Sequence, residues 1–512
     1  MKFSIFFYIS ILNINSLLFL SENSDTIRFA FILSRTGSHS PSKLKQIDSS
    51  NFIYKDIFGY EWPLGENELT NVGKRQQFYL GCHNNLKYKN ILFSEIYHPK
   101  ELLAVSSECN KTIQSSYANL HGLYQNSSIT LTNNQINNAV PPLNSNKGYI
   151  DAKNELDKNK FVLPNNIQIV PVHTFYEKDH NYLLEKVENC PSIKKFYDEG
   201  KILAKKKREE ILNYKSEENN EKTYGEILVE ILNEEKIFNE VYNINYLKTN
   251  STFFEIMAET FICDYFNAVN LEKFIQKKIN IYKLLQLFEE YFGEISIGGG
   301  LNNSNEERKK KTYELSKNVN YDLFNGLLEW IKIRIDNDIQ KKFDILLYES
   351  PKIVLYLSHH ESIESLYYFL KETFNIRNAK SPLYVNFTSF IGIELYRKNN
   401  DKDEYNYNDF YIKLIYDNEQ FGNDISYKEF SEAFKKKIIS LNDLQDYCGI
   451  GKNDNDIYSN EQNLKYIIIG TILMCFFPIL ASIALFIFFR KKKKDFEQFP
   501  EEIVNNNSND SK

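Results

Sequence analysis

The sequence predicts an α/β protein: a mostly parallel sheet flanked by helices, with an inserted α-helical cap and one C-terminal transmembrane helix. Three observations predict it. Apolar strand-like runs followed by a polar loop and then a helical pattern occur both early and late in the chain, which implies parallel strands covered on both faces. The long stretch between them carries apolar residues at helical spacing and almost no strand signal. A charge-free run, Tyr466 to Phe489, lies near the C-terminus. At about 1.5 Å of rise per residue it is long enough to cross a hydrocarbon core of about 30 Å.

Taken in order, Phe3 to Leu20 behind Lys2 is an apolar run of the secretory-signal kind, assigned to residues 1–24. Ile27 to Leu33 is a buried strand, and the Ser, Gly and Pro of 34–41 make the loop that follows. Leu69 to Leu80 is a helix. Ala104 and Val105 end a second strand before a helix over Thr112 to Tyr124, and Ile167 to Val172 is a third strand. These form the first part of the α/β domain, 25–190. Residues 191–345 are the helical cap, whose Lys/Glu runs, such as Lys205 to Glu210, read as solvated faces. The second part, 346–455, opens with a strand over Lys352 to Leu357, a loop over Ser358 to Glu361 and a helix to about Phe374. A juxtamembrane linker follows at 456–465, the transmembrane helix at 466–489 and a tail at 490–512. Arg490 to Lys494 place that tail in the cytosol by the positive-inside rule.

Composition excludes several classes. Hydrophobic residues make 42% and charged residues 25%, and 68 acids against 62 bases leave a net charge of −6. Neither global disorder nor a basic nucleic-acid binder fits those values. Outside the apolar run, Cys82, Cys109, Cys190, Cys263 and Cys448 would face an oxidising compartment, so two disulfides and one free thiol are expected. Asn110, Asn126, Asn250, Asn302 and Asn386 stand in glycosylation tripeptides. His360 to Glu364 lacks the second histidine of a zincin motif, and neither a metal nor another cofactor is expected.

The strand-loop-helix junctions carry the chemistry. Arg35-Thr36-Gly37-Ser38-His39-Ser40-Pro41 follows the first strand, and Leu69-Thr70-Asn71-Val72-Gly73-Lys74-Arg75-Gln76 opens the next helix. Val105 to Tyr124, Pro171-Val172-His173-Thr174, Asn189-Cys190-Pro191, Ser358-His359-His360-Glu361 and Glu394-Leu395-Tyr396 come after, in that order. This series resembles the histidine acid phosphatases, whose first motif is Arg-His-Gly-x-Arg-x-Pro and whose late motif is Ser-Ala-His-Asp. The likeness extends to the membrane-anchored, lysosomal-type architecture.

The resemblance implies a phosphomonoesterase site: a histidine that attacks phosphorus, three arginines that hold phosphate, and a late His-Asp pair whose acid protonates the leaving alcohol. Carried over by position, the nucleophile is Thr36. The arginines are Arg35, His39 and Val105, and the late pair is His360 and Glu361. An imidazole attacks and leaves readily, whereas a threonine hydroxyl needs a base and forms a stable ester. Loss of a nucleophile costs about a millionfold in a well-studied hydrolase. Losing two arginines at roughly 1.5–3 kcal/mol per charged hydrogen bond removes on the order of 3–6 kcal/mol. His39, if protonated below about pH 6.5, would restore part of that.

Plain structural roles stand beside these: Arg35 paired with a buried carboxylate, His39 as an ordinary loop histidine, and His360 with Glu361 as a helix cap. Three functions follow. The first is an inactive or strongly impaired, membrane-anchored phosphatase-like protein that binds a phosphorylated or anionic small molecule, or a partner through the cap. The second is an active acid phosphatase with His39 or His360 as substitute nucleophile. The third is an adhesive ectodomain with a vestigial pocket. The bilayer and a second copy of the chain are the other expected partners, with residence at the cell surface or in endolysosomes and the ectodomain luminal or extracellular.

Overall fold

The computed structural model describes residues 25–448, except 49–50, 126–128, 140–149, 175–189, 217–218, 239–240, 297–305, 341–350, 378–383, 400–403 and 438–440. The signal-like segment and everything from 449 onward, including the expected transmembrane helix, lie outside the described residues. No described helix is long and apolar enough to cross a membrane.

Eight strands build the central sheet. They are β1 (Thr26–Arg35), β2 (Leu102–Ser106), β3 (His173–Thr174), β4 (Ile353–Ser358), β5 (Phe390–Arg397), β6 (Phe410–Tyr416), β7 (Glu419–Gln420) and β8 (Ile425–Ser426). The order is β7-β6-β5-β1-β4-β2-β3, with β8 paired to β6. The pairs β1/β4, β4/β2 and β2/β3 are parallel, whereas β1/β5, β5/β6 and β6/β7 are antiparallel. The sheet is therefore mixed rather than mostly parallel. The strand-loop-helix units supply only its parallel half, and the last strands return as a meander in which the described residues between strands form no α-helix, only the 3₁₀ turn Tyr407–Asp409. None of Ile167 to Val172 is strand; the pairing begins just beyond, at His173 and Thr174, after the 3₁₀ turn Pro164–Asn166, and only Val170 of that run is fully buried.

β1 is apolar on both faces because both are covered. Phe29, Phe31 and Leu33 pack with helices Tyr321–Gln340 and His360–Thr373, through residues such as Phe324, Leu327, Ile363 and Leu366. Ala30 and Ile32 face Tyr88, Leu120 and Leu123 on the opposite side. Those belong to α1 (Asn71–Tyr88) and α2 (Asn110–Leu123). A third apolar cluster fills the helical region, joining α3 (Pro191–Asn213), α4 (Ser251–Asn267) and α5 (Ile281–Ile295) to Phe58 and Trp62 of the first part. These helices share an apolar cluster of their own, whereas the apolar face of Tyr321–Gln340 belongs to the sheet's core.

Cys190 and Cys448 form a disulfide that ties the start of α3 to the end of the helix Leu441–Cys448. Cys82, Cys109 and Cys263 are free thiols, so one disulfide replaces the expected two. The three sit on different elements, on α1, at the start of α2 and inside α4, with no pair brought together.

Candidate active site

The carboxyl ends of β1, β4 and β2 converge, and the cavity beside them measures about 760 Å³, within the usual range for small-ligand sites. Its walls come from the loop after β1, the starts of α2 and of helix α6 (His360–Thr373), and α4 of the cap. The loop is held mainly through backbone groups. Thr36 donates its N–H to the Ser358 carbonyl (3.2 Å), and its own carbonyl accepts from the Thr388 N–H (3.1 Å). The Gln77 amide donates to the Arg35 carbonyl (2.6 Å), and the Ser38 N–H donates to Gln76 (2.9 Å). Gly37 and Gly73 let loop and helix touch, since a Cβ on Gly37 would lie 2.3 Å from the Gly73 carbonyl oxygen.

Arg35, His39, His360 and Glu361 all line the cavity. Thr36 and Val105 do not. Thr36 is buried at the start of the loop, and Val105 packs in the core with Phe31 and Leu33. Arg35 is itself buried, with its guanidinium donating to the Val385 carbonyl and, at 3.0 Å, to the Tyr384 hydroxyl. It lies over the rings of Phe387 (4.1 Å) and Tyr384 (4.9 Å), an arrangement that stabilises the cation. The expected alternative of a carboxylate partner is not what holds it.

His39 does not supply the cation expected of it in acid. Burial holds its pKa well below the ordinary value, and the positive charges of Lys111 and Arg35 act in the same direction. The Lys111 ammonium stands beside it, 3.3 Å from His39 Nε2 and 3.1 Å from Asn67. Sequence reasoning missed Lys111, although it stands where the family segment aligned to Val105–Tyr124 has a second arginine. Acids nevertheless outnumber bases along the lining, with Glu66, Glu68, Glu255, Glu259 and Glu361 against Arg35, Lys111 and Lys201.

His360 Nδ1 lies 3.2 Å from Glu361. Burial, reinforced by Arg35, His359 and Lys111, brings the His360 imidazole down to about 4 despite the carboxylate beside it. Burial opposes ionisation of Glu361, but the facing histidines, a backbone hydrogen bond and Arg35 hold it below the usual range. Its position in the first turn of α6 also favours the anion. An ionised carboxylate is a poor proton donor to a leaving alcohol.

A second missed residue is Cys109, the N-cap of α2. Its sulfur lies 3.0 Å from the Thr112 hydroxyl and 3.9 Å from His359 Nε2. Burial opposes the thiolate, yet the hydrogen bond and charge of His359, with Thr112, bring the thiol down to about 6. No short motif marks it, since its partner His359 stands far along the chain.

The family model described as histidine phosphatase superfamily (branch 2) matches residues 24–417. The chain belongs to that family. Among curated relatives, the lysosomal acid phosphatase of Xenopus laevis is 27% identical over 182 residues, which is 35% of this chain and 33% of that protein. The human lysosomal acid phosphatase is 31% identical over 114 residues, 22% of this chain and 25% of that protein. These matches therefore span about a third or less of each relative. Among solved structures, the phytase of Citrobacter braakii superposes with a TM-score of 0.46 at 11% identity, covering 83% of this chain and 100% of that one. In this member of the family, Glu394 of the Glu-Leu-Tyr element is buried under the sheet's own contacts: it accepts hydrogen bonds from Tyr88 (2.5 Å) and Tyr396 (2.9 Å) and pairs with Lys87.

Proposed function

We propose that this histidine phosphatase family member is a membrane-anchored pseudophosphatase, its ectodomain luminal or extracellular, that binds an anionic small molecule without turning it over. The observation that carries the reading is position 36. The family attacks phosphorus from there with an imidazole, and here a threonine occupies it, buried without lining the cavity. Three further features agree. His39 stays neutral, Val105 offers no charge, and Glu361 lacks the proton that an acid catalyst must give. What remains for an anion is Arg35, the Lys111 ammonium and the amino ends of α2 and α6, a binding corner without a nucleophile. Membrane anchoring rests on the Tyr466 to Phe489 run and its basic flank.

The test is p-nitrophenyl phosphate hydrolysis by the detergent-purified full chain from acidic to neutral pH, beside Thr36→His and the double variant Thr36→His/His39→Arg. Silence of the wild type with turnover in the double variant supports the reading. Wild-type turnover would sink it.

One observation favours a second reading, an active enzyme with a substitute nucleophile. Cys109 shares the cavity with a depressed thiol pKa. A Cys109 thiolate would attack phosphorus, forming an S–P bond as the ester P–O bond breaks. The departing alkoxide would take a proton from solvent, and water would then hydrolyse the thiophosphate. Loss of wild-type turnover in Cys109→Ser would establish this reading.

A further inference from the structure

The loop after β1 runs along one face of α4, pinned at both ends. At one end the Asn267 amide donates to Ser38 Oγ (2.8 Å) and to the Cys263 carbonyl (2.8 Å). At the other, Glu259 accepts from the Ser42 hydroxyl and from the Ser42 N–H (3.3 Å). Between these ties His39 faces the helix. Glu259 and Cys263 are four residues apart in α4 and so project from the same face. One ligand atom from each of His39, Glu259 and Cys263 lies within 4.8 Å of the others.

We propose that His39, Glu259 and Cys263 form a site for a divalent d-block cation of the zinc class. Imidazole nitrogen, thiolate and carboxylate are the donors that zinc takes, and three protein ligands leave a fourth position open toward the cavity. All three residues line that cavity, which gives the ion a path in. The outer contacts are of the kind a metal site needs. His39 Nδ1 lies 2.8 Å from the Ser40 carbonyl, so its N–H donates there and the Nε2 lone pair is left for a metal, while Ser42 orients Glu259.

Binding needs three adjustments, the last against the burial and the Glu259 charge that push the Cys263 thiol well up. Bonds of about 2.0–2.3 Å in a tetrahedron require the ligand atoms to close by about 1 Å. The Lys111 ammonium must leave His39 Nε2, and Asn67 stands ready as its remaining partner. The Cys263 thiol gives its proton to solvent as the S–metal bond forms, and no oxidant or reductant is involved. The site does not depend on whether the protein hydrolyses phosphate esters.

The experiment is a Co²⁺ titration of chelator-treated, full-length protein in detergent, with no phosphate present. A thiolate-to-cobalt charge-transfer band and four-coordinate visible bands should grow to about one ion per chain and vanish as Zn²⁺ displaces the cobalt. Cys263→Ser should abolish the charge-transfer band, and Glu259→Gln should weaken affinity by about tenfold or more. Absence of the band in the wild type overturns the site. So does a band that survives Cys263→Ser, or one that depends on Cys109 instead. Should Cys263→Ser fail to fold, Glu259→Gln decides, and unchanged cobalt affinity there overturns the assignment.

Discussion

Two strand ends meet in the cavity, and they have diverged to different degrees from the family pattern. At the end of β4, His360 and the acid at 361 persist, with glutamate for aspartate. At the end of β1 only Arg35, Gly37 and Pro41 remain of the side chains that define the motif. Yet the two ends stay joined through the main chain, where the Thr36 N–H donates to the Ser358 carbonyl, and the Thr36 carbonyl is held by the Thr388 N–H of the segment before β5. The Gln76 and Gln77 side chains likewise grip backbone atoms of the loop. The frame of this site is thus independent of its nucleophile, so the imidazole at 36 can be lost while the loop keeps its course.

That contrast can be broken most sharply by putting the chemistry back. Thr36→His/His39→Arg should gain p-nitrophenyl phosphate turnover by roughly a thousandfold or more over wild type, on the scale of nucleophile deletions. No gain would mean that the uncharged Val105 and the ionised Glu361 keep the site silent, or that the β1 end has lost its frame as well as its side chain. The next largest effect concerns the scaffold behind the cap. Cys190→Ser, which opens a disulfide spanning 258 positions, should lower unfolding stability by about 2–5 kcal/mol in a denaturant titration.

Acid should separate the two ends further. His39 and His360 have folded pKa values below the unfolded value of 6.5, so both states are neutral above that pH. As pH falls from 6.5 toward about 4 the unfolded chain binds protons first, and stability declines through that window. Glu361 adds to the loss at lower pH, since its depressed pKa stabilises the fold only while it is ionised. Melting temperature should therefore drop between pH 6.5 and 4, and His360→Gln should flatten that slope. The smallest effect is on reactivity. Cys109 should alkylate with a midpoint near pH 6, ahead of the buried Cys263, and His359→Ala should move the midpoint upward by mass-spectrometric mapping.

Much of this was legible in the chain itself. β1, α2, β4 and α6 were expected within a few residues of their observed bounds, since apolar periodicity is a local signal, whereas α1, expected over Leu69 to Leu80, runs on to Tyr88. The short β3 and the antiparallel meander were not, because strand direction depends on pairing partners. Arg35, His39, His360 and Glu361 were placed in one site through the family motifs, whereas Lys111 was not, because a lysine on the first turn of a helix carries no motif of its own.

The sequence by itself determined the strand-loop-helix units of the parallel half, the absence of an imidazole at 36 and the apolar run at 466–489, all properties of residue type and spacing along one dimension. Only the tertiary structure decided that His39 is neutral, that Arg35 is occupied by a carbonyl, a hydroxyl and two rings, and that Glu259 and Cys263 face His39. Desolvation and apposition depend on surfaces that folding brings together from distant parts of the chain, and no local pattern encodes them.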